Sequence, residues 1–327
     1  MVSSKANIHF LMRHCNFSVI KYYLCKQNKY KIIRRMRLTG RRESNNVEDR
    51  RGMGGAAKAG IGGIGGIIVI ALFTLLSGGN LGDVISNVAQ SGALSPAADA
   101  TSQKTEQKFT AEEQELAKFS RQILAATEDV WTKEFQKMGR KYTPPTLVLF
   151  TSSVQSACGG ATAEVGPFYC SADQKLYIDL SFFTTMKKSL GADGDFAYAY
   201  VIAHEVGHHV EYLLGTLDKA HAQMSQLSKA DANKVSVRLE LLADYYAGVW
   251  AHYDNEEYQS LEDGDLEEAI RCAEVIGDNY LQEKARGYSQ PESFTHGTSK
   301  QRMKWLKLGI QTGDMSVTTF DKSDAEL

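Results

Sequence analysis

The strongest pattern along the chain is helical. Over 196–214, 219–229, 232–253, 265–284 and 299–311, apolar residues return every three or four positions, so each stretch is expected to be an amphipathic helix with one face in a core. A further helix is expected from near Phe109 to about Gly139, because Thr110 and Glu113 have capping-box spacing. Pro144 and Pro145 stop any helix, and TLVLF at 146–150 then reads as a strand. KLYIDLSFF at 175–183 reads as a second strand, which passes through the loop GADGD into the next helix. A few strands beside a majority of helices predict an α+β domain over 106–314, followed by a tail at 315–327.

The pattern differs before this body. Ala59 to Gly82 carry no charged side chain, and about 20 of these residues suffice to cross roughly 30 Å of hydrocarbon as a helix. A transmembrane helix is therefore expected at 59–78, with Gly62 and Gly66 as a GxxxG pair; the competing reading is a Gly-rich linker joined to a short buried helix. Residues 79–105, rich in Gly, Ser, Ala, Asn and Gln, read as a flexible linker.

Charge refines this picture. The formal net charge of -2 hides fourteen Lys and Arg against three Asp and Glu in residues 1–58, and 23 against 36 in the rest. An acidic body argues against nucleic acid as a partner. Arg34, Arg35, Arg37, Arg41, Arg42, Arg50, Arg51 and Lys58 all precede the apolar run, so the positive-inside rule makes 1–58 a basic cytoplasmic arm. The protein is then expected in the inner (cytoplasmic) membrane, single-pass, with its main domain periplasmic or extracellular. A cleaved signal is disfavoured, because Ala98 and Ala100 lie too far beyond the apolar run. Residues 1–35 resemble nothing downstream, and Met36 is a candidate translation start.

Cys158 and Cys170 bracket the loop CGGATAEVGPFYC and are expected to form a disulfide outside the cytoplasm, with Cys272 as the odd thiol.

The sharpest chemical signal is His204-Glu205-Val206-Gly207-His208, the H-E-x-x-H pattern. On a helix its two imidazoles stand one turn apart and can reach one Zn2+ ion, while Glu205 polarises a water. Ile202, Val206, Val210 and Leu213 fall on the opposite face, as expected of a helix forming one wall of a cleft. In the next long helix Leu239, Leu242, Tyr246, Val249 and Trp250 form an apolar face, and Glu240 and Asp244 share the other side. A catalytic zinc takes three protein ligands and keeps a position for water, which makes Glu240 the candidate third ligand. Asp244 is placed to accept the outward N–H of a ligating histidine. Solvated histidines and acids on ordinary helices are the bland alternative. Gly207 and Gly248 inside helices suggest close helix approach.

HExxH followed by ExxxD resembles the gluzincin class. GRRESNNVEDRRG, CGGATAEVGPFYC, KLYIDLSFF, AHEVGHHVEYLLG, ELLADYYAGVWA and HGTSKQR together resemble the bacterial putative neutral zinc metallopeptidase family, from Met36 to about residue 311. Members often carry Cys where Tyr245 stands here. The resemblance implies a zincin-like fold, zinc on His204, His208 and Glu240, and Glu205 as general base in the hydrolysis of a peptide or protein substrate. His296 is the candidate oxyanion donor, with Tyr169 and Tyr253 as others. His209 points away from its neighbour and is left out of the site. The competing function is a non-catalytic zinc-containing module that binds peptides or serves as an envelope scaffold.

Overall fold

The computed structural model describes residues 36–52, 109–162 and 166–327. Contacts divide the chain into Met1–Arg34 and Arg35–Leu327, and all described residues belong to the second unit. The architecture is α+β, mostly helical with a small sheet. Strand β1 (Val47–Asp49) is followed by helix α1 (Ala111–Lys137), strands β2 (Thr146–Phe150), β3 (Ser153–Ser156), β4 (Gly159–Thr162), β5 (Phe168–Cys170) and β6 (Lys175–Asp179). Helices α2 (Ser181–Thr185), α3 (Asp195–Leu214), α4 (Thr216–Met224), α5 (Lys229–Tyr258), α6 (Asp265–Val275), α7 (Asp278–Arg286) and α8 (Ser299–Thr312) complete the body.

The sheet runs β1-β2-β6-β5, with β1, β2 and β6 parallel and β5 antiparallel on the edge. Alternation along its two central strands divides the core. Leu147, Leu149, Leu176 and Ile178 face the helices, whereas Val148, Phe150 and Tyr177 face a smaller cluster under the β3-β4 hairpin. Both faces of these strands are covered, which is why they read as nearly continuous apolar runs.

Helix α1 starts on the expected Thr110–Glu113 capping box. Its interior Trp131 packs edge-on against Tyr246 of α5. The second expected strand is shorter than its pattern suggested. It ends at Asp179, and Phe182 and Phe183 bury themselves from α2, ahead of a π-helical turn. The helix expected over 265–284 is broken into α6 and α7 at Gly277, where an added Cβ would lie 2.3 Å from the Ser299 backbone nitrogen. The expected tail at 315–327 is docked: Arg238 of α5 donates to the Thr319 and Lys322 carbonyls, and Leu327 is buried.

The main correction concerns the N-terminal arm. Residues 36–52, expected in the cytoplasm across a membrane from the body, are part of the body. Val47, Glu48 and Asp49 pair in register with Leu147, Val148 and Leu149. Adjacent strands stand about 4.8 Å apart, so a bilayer of roughly 30 Å cannot lie between them. The described arginines among those counted towards positive-inside topology have partners in the fold. Arg41 pairs with Asp254 at 2.7 Å, Arg42 with Glu128 at 2.9 Å, and Arg51 with Asp49 at 2.6 Å. Arg51 also donates to the Glu113 carbonyl and stacks on the Phe109 ring, so the chain on either side of 53–108 meets at one place. Among the described residues no helix is long and apolar enough to cross a membrane. The run expected to do so, 59–78, and the linker 79–105 lie outside the described residues.

Two glycines let the long helices touch. A Cβ on Gly207 of α3 would lie 2.8 Å from the Ala243 carbonyl oxygen, and one on Gly248 of α5 would lie 2.3 Å from the Leu306 carbonyl oxygen of α8. Helix propensity alone would make Gly248→Ala stabilising by about 1 kcal/mol. The backbone contact reverses the sign: Gly248→Ala is expected to lose about 1–3 kcal/mol and several degrees of Tm in thermal unfolding.

Candidate metal centre

Helices α3 and α5 carry the site, and the Gly207–Ala243 contact brings their backbones close at its level. Here His204 Nε2 lies 3.2 Å from Glu240 Oε2, and His208 Nε2 lies 3.6 Å from Glu240 Oε1. The three candidate ligand atoms all lie within 4.8 Å of one another, so the group could hold a metal ion. Two imidazoles and one carboxylate are the donor set of an open catalytic zinc site, with a fourth position left for water.

Each imidazole is held from behind. His204 Nδ1 meets Asp244 Oδ1 at 2.8 Å, and His208 Nδ1 meets Glu211 Oε2 at 2.8 Å. A carboxylate there accepts a hydrogen bond from Nδ1–H, so that Nε2 is the ring nitrogen turned to the shared site and the one a metal would take on displacing its proton. Asp244 is itself fully engaged. It accepts from Tyr200 at 2.6 Å and from Arg302 Nε and Nη2 of α8 at 2.8 and 2.9 Å. Sequence reasoning missed Glu211, Tyr200 and Arg302. Glu211 stands three residues after His208, one turn along the same face, and that spacing was the available signal.

Burial sets the electrostatics. Desolvation would lower the His204 pKa, but Asp244 and Glu240 outweigh it and raise it to about 10. Burial opposes the Glu240 charge, yet the surrounding histidines hold its carboxyl well below the usual range. Glu205 moves the other way: burial raises its pKa, against the pull of His204 and His208. Burial also pushes Glu211 up to about 7. A deeply placed anion between two histidines is a demand for positive charge that a divalent cation meets.

His204, Glu205, His208, Glu240, His296 and Arg302 line one cavity of about 180 Å³. Its remaining walls include Phe182, Val201 and Leu239, together with Gly159, Gly160 and Ala161 of the β3-β4 hairpin. The Cys158–Cys170 disulfide ties the hairpin's turn to β5. His296 is buried, its Nδ1 is 3.2 Å from Asp278 Oδ1, and Asp278 Oδ2 also accepts from the Thr295, His296 and Gly297 backbone nitrogens. That clamp fixes a loop histidine in the wall of the cavity.

Of the other candidate donors, Tyr169 also lines the cavity and Tyr253 does not, and the hydroxyl of each already has a partner. Tyr169 donates to His209 Nδ1 at 2.9 Å, while His209 Nε2 donates to the Thr143 carbonyl at 2.7 Å. His209 is buried and neutral, its pKa pushed down to about 4, and it stands outside the cavity lining. Tyr253 donates to the Gly313 carbonyl, also outside that lining. Cys272 is a buried free thiol.

The profile of the family described as Putative neutral zinc metallopeptidase matches residues 36–320. Uncharacterized protein YpfJ of Escherichia coli (strain K12) is 46% identical over 295 residues, covering 88% of this chain and 100% of its own length. Uncharacterized protein Rv2575 of Mycobacterium tuberculosis (strain ATCC 25618 / H37Rv) is 42% identical over 194 residues, 56% of this chain and 64% of its own. No solved structure matches.

Glu211→Gln keeps an acceptor of the same shape behind His208 but removes its charge. Zinc affinity, measured by competition with a chromophoric chelator, is expected to fall about tenfold with the fold intact. Unchanged affinity would free the His208 ring from any dependence on Glu211.

Proposed function

The chain belongs to the putative neutral zinc metallopeptidase family, and from that premise we propose that it is a zinc-dependent peptidase of zincin-like fold. The carrying observation is the meeting of His204 Nε2, His208 Nε2 and Glu240 in one cavity whose wall also holds Glu205. His204, His208 and Glu240 would hold the metal. Bound zinc supplies a Lewis acid and lowers the pKa of a coordinated water towards about 7.

The chain's own groups do the rest. Glu205, its pKa raised by burial, takes a proton as water attacks the scissile carbonyl and returns it to the leaving amine. Asp244 and Glu211 hold the two imidazoles in the tautomer that presents Nε2. His296, held by Asp278, donates to the oxygen on which negative charge grows. The β3-β4 hairpin, half-buried over the cavity, is suited to an extended peptide substrate.

We also propose that the apolar run at 59–78 is embedded in the membrane, with the body at the outer face, where an oxidising compartment keeps the Cys158–Cys170 disulfide. Because β1 belongs to the body's sheet, residues 36–52 stand on the body's side of that membrane. Single cysteines placed at the exposed Asn45 and Ser323 are expected to react with a membrane-impermeant maleimide from the same side. Labelling from opposite sides would overturn the arrangement.

Glu205→Gln is expected to cut peptide hydrolysis by about 10²–10⁴-fold while zinc stays near one per chain. Zinc is read by atomic spectroscopy and cleavage on a peptide library. Hydrolysis at the wild-type rate removes the general-base role; a wild-type chain with full zinc and no cleavage assigns the site to a binding module.

A further inference from the structure

A second group of carboxylates converges outside the lining of the metal cavity. Asp195 opens α3, Asp265 opens α6, and Glu268 lies one turn further on; one oxygen from each lies within 4.8 Å of the others. A helix's first turn favours an acid singly. Dipoles do not account for three in one place, where burial first and the neighbouring carboxylates next push Asp265 up to about 6 and Glu268 to about 7.

Two details make this more than a cluster. Asp265 is 1% exposed, and its Oδ1 has no hydrogen-bond partner among the described residues. Gly194 has a φ of 121°, and a Cβ there would lie 2.0 Å from the Glu268 carboxyl carbon, so the backbone leaves that space to the carboxylate. Asp265 and Glu268, so placed, make a setting that favours a cation.

Main-chain nitrogens reach each carboxylate: Glu262 N lies 2.9 Å from Asp265 Oδ2 and Phe196 N lies 3.3 Å from Glu268 Oε2. The Met36 nitrogen lies 2.7 Å from Asp195 Oδ2, the Met36 side chain is buried, and Arg37 N holds the position by donating to the Ser260 carbonyl at 2.9 Å. The boundary between the chain's two units falls at Arg34–Arg35, and the family match opens at residue 36. We propose that Asp195, Asp265 and Glu268 form a receptor for the α-ammonium group of a mature chain that begins at Met36. An amide nitrogen at Met36 offers one hydrogen and no charge. An α-ammonium offers three hydrogens and a full positive charge to three carboxylates, the setting in which charge-assisted hydrogen bonds are strongest.

The test does not depend on the metal centre. Intact-mass analysis of the protein from its native host is expected to place the N-terminus at Met36; a mature chain that retains 1–35 overturns the proposal. Glu268→Gln is then made in the full chain and in a chain started at Met36. It is expected to lower Tm by several degrees only in the Met36 form, where it removes a partner of the ammonium, and to leave or raise Tm in the longer form, where it relieves repulsion. An equal change in both forms overturns the proposal, as does a calcium-dependent rise in Tm of the Met36 form, which would assign the trio to a metal. Should the variant not fold, the α-amine of the unsubstituted Met36 form is acylated at pH 8, where an ordinary α-amine of pKa about 8 reacts readily. Protection of at least about tenfold relative to the unfolded chain is expected, and equal rates overturn the proposal.

Discussion

One buried carboxylate holds this site together. Asp244 receives Tyr200 and His204 from α3 and Arg302 from α8 while standing on α5, so three helices meet on two oxygens. Asp244 and Arg302 are each almost completely buried. Removing either partner of such a pair typically costs about 3–5 kcal/mol, because the other is left charged and unsolvated. The pair therefore ties the orientation of His204 to the docking of a helix nearly sixty residues further along the chain. Gly207 and Gly248 serve the same end, since only backbone-to-backbone contact lets α3, α5 and α8 approach closely enough for these short side chains to meet.

The helices that carry the site were readable because they obey two local rules at once. HExxH places two rings on one face of α3 within five residues, and the apolar period of α5 fixes which side Glu240 and Asp244 share. What escaped were partners that only tertiary structure supplies. Arg302 lies 58 residues from Asp244 and reads in isolation as an ordinary helical arginine. Tyr200 reads as a core aromatic. Strands β1, β3, β4 and β5 are each three or four residues long, too short to show a period, and β1 sits in a stretch so rich in charge that it reads as a solvated arm. The break at Gly277 was missed because a single glycine in an amphipathic pattern does not distinguish a weak spot from an end.

That arm is the clearest case of charge misleading topology. Counting arginines assumes that they face water or lipid headgroups, and the rule has no means of seeing Asp254 and Glu128 arriving from far along the chain. A basic segment becomes a strand of an acidic body because the body's acids are waiting for it. The disulfide was readable for the opposite reason, since Cys158 and Cys170 are separated by only 12 positions around a glycine-rich loop.

The reach of Arg302 also sets an order of events during synthesis. A nascent chain that has emerged through α5 already holds both histidines, Glu205, Glu240 and Asp244, but the guanidinium that neutralises Asp244 arrives only with α8. Until then Asp244 is an uncompensated charge that resists burial, and the backbone seat that Gly248 provides for α8 stands open. The cavity is thus completed only when α8 has followed α5 out of the ribosome. His204 is held in its final orientation only after a segment 58 residues beyond Asp244 has docked, so the cavity matures as a late product of tertiary assembly rather than of its own two helices.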